Sequence, residues 1–201
     1  MSPPVTVTVL PNGPLKIQNA QGVNFCGDRL DVSGDIYLCR CGNSSNAPFC
    51  DGSHKRTGFS GAHEDSSNAE MRVWEGQTIR THFNRKACMH AFYCKPLKEL
   101  RAAEIAGDAN AANEIMRVVD LCPSGALSYE IKTDLQEPDP RHFDVGIDII
   151  EGGEVRLQGG FLINEPLQQR QASTRATLCR CGESKNKPWC DGRHKRRKGF
   201  R

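Results

Sequence analysis

The sequence predicts an α+β protein: two similar units in which β-strands feed a cysteine-bearing loop and a short helix, with an α+β insertion between them. Three observations carry this expectation. Cys39-Arg-Cys41 is followed, with eight residues between, by Cys50-Asp-Gly-Ser-His54, and the arrangement returns as Cys179-Arg-Cys181 and Cys190-Asp-Gly-Arg-His194. The agreement runs past the cysteines: Leu-Cys-Arg-Cys-Gly opens both copies, then come Ser44 or Ser184, Asn46 or Asn186, Pro48 or Pro188, and an aromatic, Phe49 or Trp189. Apolar residues alternate with period two ahead of each copy, whereas a helical run over 113–121 lies between them.

The elements follow in order. Residues 5–10 alternate in β-branched residues, Pro11-Asn-Gly-Pro14 is a turn, and 15–17 resumes as a strand. A strand over 35–38 runs into Cys39. Asp51 to His54 reads as a helix start with Asp51 as N-cap, which turns free N–H groups toward an anionic group at the cysteines. In the insertion, 78–83 alternates like a strand, then come Cys88-Met-His90-Ala-Phe-Tyr-Cys94, an Ala-rich loop over 95–110, the helical run, and Cys122-Pro123-Ser-Gly-Ala-Leu. The second unit repeats the first: 145–150, a Glu-Gly-Gly turn, 154–157, 159–164, and 174–178 leading into Cys179. Polar stretches at 61–68 and 133–141 read as linkers, which divides the chain into residues 1–62, 70–131 and 142–201.

Three thiols and one imidazole serve either a structural zinc ion or an iron–sulfur cluster, and spacing alone leaves both open. Zinc knuckles usually space their paired ligands wider than Cys-x-Cys. A tight Cys-x-Cys suits one iron, with Cys and His a turn later on the other.

These residues resemble the CDGSH iron–sulfur domain family, whose pattern is Cys-x-Cys-x2-Ser/Thr-x3-Pro-x-Cys-Asp-Gly-Ser/Ala/Thr-His. The first unit matches every defined position; the second departs only at Arg193, where a small residue is usual. The resemblance implies a [2Fe–2S] cluster in each unit. Cys39 and Cys41 would hold the inner iron and Cys50 and His54 the outer one, with Cys179, Cys181, Cys190 and His194 repeating the set. It also implies that two units pair through a small β-sandwich; with both in one chain, that pairing would be internal, by a pseudo-twofold axis, in a monomer. A histidine ligand is neutral where thiolate is anionic, so it raises the reduction potential and couples it to a proton on the free ring nitrogen.

The insertion resembles a divergent single-cluster ferredoxin domain over roughly 70–131, carried by Cys-x-His-x3-Cys and Cys-Pro-Ser-Gly-Ala-Leu. Ala91 stands where an ordinary ferredoxin run has a ligand, leaving Cys88, Cys94 and Cys122. These three would hold a [3Fe–4S] cluster, a [4Fe–4S] cluster whose fourth iron takes His90 or an outside ligand, or no cluster at all.

Nine of the ten cysteines fall into these three groups, which favours a reducing compartment over disulfides; Cys26 is left as a small packed side chain. At 6% aromatic residues the cores are thin, so loss of metal should come close to unfolding each small unit. No run of eighteen apolar residues exists, which argues against a membrane span, and Met1-Ser-Pro-Pro lacks a secretory pattern, so a cytoplasmic location is expected. Residues 193–198 are strongly basic, suited to an acidic redox partner; without interleaved base-stacking aromatics they make a poor nucleic-acid surface. No phosphate loop, nucleophile triad or dinucleotide fingerprint is present, so no enzyme activity is expected. The reading is an electron-transfer protein, with a [2Fe–2S] carrier to an apo-acceptor or a redox or iron sensor as the alternative, and a structural zinc adaptor behind both.

Overall fold

The computed structural model describes residues 3–20, 22–62, 71–132, 146–164 and 169–200, the last range without the side chains of 169–173. The fold is α+β. The first part of the chain gives β1 (Val5–Val9), β2 (Leu15–Gln18), β3 (Val23–Phe25), β4 (Asp28–Leu30), β5 (Ile36–Leu38) and a single helical turn, α1 (Ser53–Arg56). The middle gives β6 (Arg72–Glu75), β7 (Ile79–Phe83), α2 (Leu97–Ile105), α3 (Ala111–Asp120) and β8 (Leu127–Ile131), and the last part β9 (Gly146–Ile149), β10 (Val155–Asn164) and β11 (Gln169–Leu178). The two outer parts form one compact unit and the middle forms another.

In the outer unit eight strands make one sheet. β1 pairs antiparallel with β2, and β2 with β5, so that Val9 faces Leu15 and Leu15 faces Leu38. The same pairings recur 140 residues further on, where Ile149 faces Val155 and Val155 faces Leu178. That shift also relates two parallel pairings that cross between the ends of the chain: Thr8 faces Asn164 in β1–β10, and Asp148 faces Asn24 in β9–β3. β10 serves both sets because it changes partners at an irregularity between Gln158 and Phe161.

Period-two alternation puts one face of each strand inside. Along β1 it buries Val5, Val7 and Val9; along β10 it buries Val155, Leu157, Phe161 and Ile163. These faces converge with Leu15, Ile17, Leu38 and Leu178 on one core, and burial of each such side chain stabilises by ~1.5–3 kcal/mol.

The middle unit is an antiparallel sheet, β6–β7–β8, against two helices. α3 buries Ile115, Met116, Val118 and Val119 with Ile79 and Leu127, the spacing of one helical face. The stretch 95–110, read from sequence as a loop, instead contains α2, which begins after Pro96 and stops at Gly107, whose φ is 89°. α2 carries four charged residues among its nine, and its inner face rests on Leu97 and on a carboxylate, Glu104, both buried. Glu104 accepts the Thr78 N–H at 2.6 Å, the Thr78 hydroxyl at 2.8 Å and the Gln77 N–H at 3.0 Å, so it holds the β6–β7 turn. Of the two linkers, 63–68 and 133–141 lie outside the described residues.

Burial alone would raise the Glu104 pKa, but the donated hydrogen bonds outweigh it and hold the carboxyl below its usual range. The charged form therefore belongs to the folded state. Its contribution is fully present above the unfolded value of about 4.3 and is lost as pH falls through the depressed folded value. Glu104→Ala should cost the middle unit about 1–3 kcal/mol near neutral pH, and in urea melts the gap to the parent protein should narrow between pH 6 and pH 3.

Candidate metal centres

Each cysteine loop starts where a core strand ends. β5 delivers Cys39, whose N–H donates to Pro48 O at 2.9 Å, while the Cys50 N–H returns to Tyr37 O at 2.8 Å. Ser44 closes the loop: its hydroxyl donates to Phe49 O at 2.6 Å and accepts from the Asn46 N–H at 3.1 Å. The peptide before Pro48 is cis. Two pairs of donors result, Cys39 Sγ to Cys41 Sγ at 3.6 Å and Cys50 Sγ to His54 Nδ1 at 3.4 Å. Beside Cys39 lies a cavity of about 280 Å³ walled by Ser44, Ala47, Arg180 and Phe200.

Asp51 is not the N-cap of α1. That place is taken by Gly52 in the left-handed region, with φ of 83°. The Asp51 carboxylate still accepts the Ser53 N–H at 2.9 Å, and its other oxygen takes the Ser45 N–H and hydroxyl, so the carboxyl sits well below the usual range, the Ser53 N–H being the largest cause. At four residues, α1 carries little of the helix field that the sequence reading invoked.

The second loop repeats this frame. Cys179 N–H donates to Pro188 O at 2.8 Å, Cys190 N–H to Thr177 O at 3.0 Å, and Ser184 Oγ to Trp189 O at 2.6 Å. Its donor pairs are Cys179 and Cys181 at 3.6 Å and Cys190 and His194 Nδ1 at 3.3 Å. Arg193 pairs with Asp191 at 2.9 Å, and its turn is a 3-10 helix rather than α. This site is the more enclosed: Cys190 and His194 are buried, whereas Cys50 and His54 are half-buried.

Burial also shifts the thiols of both sites. Burial pushes the Cys41 thiol up to about 11 and the Cys190 thiol up as well. Cys179 moves the other way, lowered first by the Cys181 thiol and then by the N–H groups of Ser184, Gly182 and Cys181, so that sulfur is prepared for negative charge. Burial lowers His194, opposed by Glu154, whose carboxylate lies 3.4 Å from Nε2.

The two loops touch. Cys41 and Cys181 form a β-bridge, and a Cβ on Gly42 would lie 2.5 Å from Cys181 O, one on Gly182 2.6 Å from Cys41 O. Both positions need glycine twice over, for space and for positive φ, 71° and 79°. Arg197 spans the junction, its guanidinium donating to Cys181 O, to Cys41 O at 3.3 Å and to Gly42 O at 2.9 Å. The basic run at 193–198 is thus partly structural, while Lys195, Arg196 and Lys198 stay exposed.

In the middle unit, Cys88 follows a 3-10 turn over Arg85–Ala87, Cys94 precedes α2 and Cys122 follows α3. All three, with His90 and Ala91, line one small, partly open pocket of about 30 Å³ whose walls are mainly apolar. His90 and Phe92 adopt positive φ, 55° and 65°, and the His90 N–H points at Cys88 Sγ, 3.4 Å away. Cys26, expected as a packed side chain, is exposed at the β3–β4 turn.

The donor sets fit metal. A tetrahedral atom with bonds of about 2.3 Å to sulfur and 2.0–2.1 Å to nitrogen holds two thiolates about 3.8 Å apart, and a thiolate and imidazole about 3.6 Å apart. The four observed pairs, at 3.3–3.6 Å, come close to that. Among the described residues the single set of three or more Cys, His, Asp or Glu donors within 4.8 Å of one another is Glu154, Cys190 and His194.

Sequence reasoning missed four residues here: Glu154, Arg197, and the arginine inside each Cys-Arg-Cys, Arg40 and Arg180. Arg40 and Arg180 are buried, and their guanidinium groups donate to carbonyls of the turns at Leu10, Gly13 and Ile150, which the repetition of Arg between the cysteines signalled.

The CDGSH-type iron-binding zinc-finger family matches residues 8–55 and again 149–195, and the divergent 4Fe-4S mono-cluster family matches 74–132. No curated protein and no solved structure matches the chain. No helix among the described residues is long and apolar enough to cross a membrane. The chain is an iron–sulfur protein in which two CDGSH-type iron-binding regions flank a divergent 4Fe–4S mono-cluster domain.

Proposed function

We propose that this protein transfers electrons through two [2Fe–2S] clusters, each held by three cysteines and one histidine, with Cys88, Cys94 and Cys122 holding a third cluster. The observation that carries the reading is the split of donors into pairs. Cys39 with Cys41 and Cys50 with His54 are each right for one metal atom, yet no three of the four Cys and His donors at either site lie within 4.8 Å of one another. One tetrahedral zinc would need all four together; two irons need two pairs. When bound, such clusters supply one-electron exchange, at a potential raised by the histidine ligand.

The residues do the rest. In both sites Nδ1 is the nitrogen beside the sulfur, which leaves Nε2 of His54 and of His194 to hold or release a proton. The common shift of 140 residues in every pairing of the outer unit supports a β-sandwich with an internal pseudo-twofold axis, and hence a monomer with both sites on one rigid core. Ten cysteines outside any disulfide suit a reducing, cytoplasmic setting. The partner has an acidic surface that meets Lys195, Arg196 and Lys198 beside the second site. No chemistry on an organic substrate is assigned. A second reading, delivery of [2Fe–2S] to an apo-acceptor, draws on the half-exposed Cys50 and His54 pair.

Iron and sulfide content with EPR of anaerobically purified, dithionite-reduced protein tests the core of this. About seven or eight irons per chain and two kinds of signal are expected; about four would leave the middle unit without a cluster, and zinc without sulfide would end the redox reading. Replacing His54 or His194 by Cys should keep the cluster, lower that site's potential and remove its pH dependence. Cluster delivery would be rejected if an apo-ferredoxin gained no absorbance from the oxidised protein while the donor remained intact.

A further inference from the structure

The two histidine sites share a backbone frame but not a key side chain. Residue 14 and residue 154 occupy the same place in the 140-residue repeat. In one turn Leu10 N–H donates to Pro14 O at 3.2 Å and Gly13 N–H to Leu10 O at 3.1 Å; in the other Ile150 N–H donates to Glu154 O and Gly153 N–H to Ile150 O, both at 3.0 Å. The following strands are also in matched register, with Leu15 facing Leu38 and Val155 facing Leu178. Proline in the first copy offers no side-chain acceptor. Glutamate in the second is buried, 2% exposed, with Oε2 3.4 Å from His194 Nε2 and Oε1 2.7 Å from Arg156 Nε. Lys16, the counterpart of Arg156, is engaged elsewhere, with Asp35 at 2.8 Å.

We propose that Glu154 is a positioning residue for His194, which makes the second centre the retentive one and leaves the first as the centre that releases its cluster. This rests on the ligand sets given under the proposed function. A carboxylate on one ring nitrogen fixes the proton there, leaves the lone pair of the other for metal, and stops the ring from turning. Arg156 in turn holds the carboxylate in place. His194 Nδ1 already faces Cys190 at 3.3 Å, so the chain of contacts runs Arg156, Glu154, His194 and Cys190, the pair that would hold the metal. Enclosure acts in the same sense, since the outer pair of the second site is buried and that of the first is half-buried. Loss of such a partner typically weakens metal binding by about 10- to 100-fold.

The test uses the full-length, oxidised, cluster-loaded protein challenged with excess iron chelator. Samples are withdrawn in time, reduced and read by EPR, and the [2Fe–2S] signals are counted apart from those of the middle unit. The parent protein should lose these in two equal phases at least about 10-fold apart, and His54→Cys should slow only the fast one. Glu154→Met should accelerate the slow phase about 10- to 100-fold, towards the fast one. Glu154→Gln, which retains an acceptor for Nε2–H, should restore most of the difference, and pulsed EPR should show two sets of histidine nitrogen couplings in the parent but one in Glu154→Met. A single phase in the parent, an unchanged slow phase in Glu154→Met, or Glu154→Gln no better than Met would overturn the proposal. So would a second cluster lacking histidine couplings, since Glu154 would then be the ligand. If Glu154→Met does not fold, the parent's phases and Glu154→Gln still decide. Four irons with histidine couplings but one rate of loss overturns this inference alone; a chain without acid-labile sulfide overturns the functional reading with it.

Discussion

The backbone contact between Cys41 and Cys181 is the constraint on which the outer unit depends. Two loops that each expose several carbonyls and carry paired thiols can meet only if nothing projects between them, which is why Gly42 and Gly182 stand at the junction. The carbonyls brought together there would be costly if left unpaired, and Arg197 supplies donors to three of them. The strands then have a defined task, to bring both loops to this one place. They do so because Leu38 and Leu178, the last residues before the cysteines, are core residues locked in register with Leu15 and Val155.

The proposed electron transfer would draw on rigidity of this kind, because a site that does not rearrange when its charge changes exchanges electrons with little reorganisation. The loops are held by short local bonds, Ser44 and Ser184 among them, rather than by bulk burial. Without metal, the buried thiols Cys41 and Cys190 favour their neutral forms, whereas Cys179 favours the thiolate. Metal binding therefore displaces protons as it assembles the site, and the affinity for metal falls in acid.

The paired Cys and His donors and the strands that carry them were legible in the sequence for different reasons. A metal site restricts residue type and spacing, so Cys-x-Cys and Cys-x3-His advertise themselves; a half-buried strand shows through alternation, as 5–9 and 155–164 do. What stayed hidden depends on partners distant in sequence. α2 was read as a loop because it rests on Leu97 and a buried glutamate, and its other residues look like surface. Glu104 and Glu154 resemble solvent-facing acids until the fold provides the N–H groups of Thr78 and Gln77 for one and Arg156 and His194 for the other. Arg197 looked like one cation in a basic run because its acceptors are carbonyls, and carbonyls leave no mark in a sequence.

The crossed parallel pairings, β1 on β10 and β3 on β9, have one more consequence. Each end of the chain completes its sheet with a strand from the other end, so neither end encloses a core by itself. Severing the covalent path between them would not separate them: the two fragments would remain interlocked, and either one alone would present an open strand edge that a second copy of itself is shaped to fill.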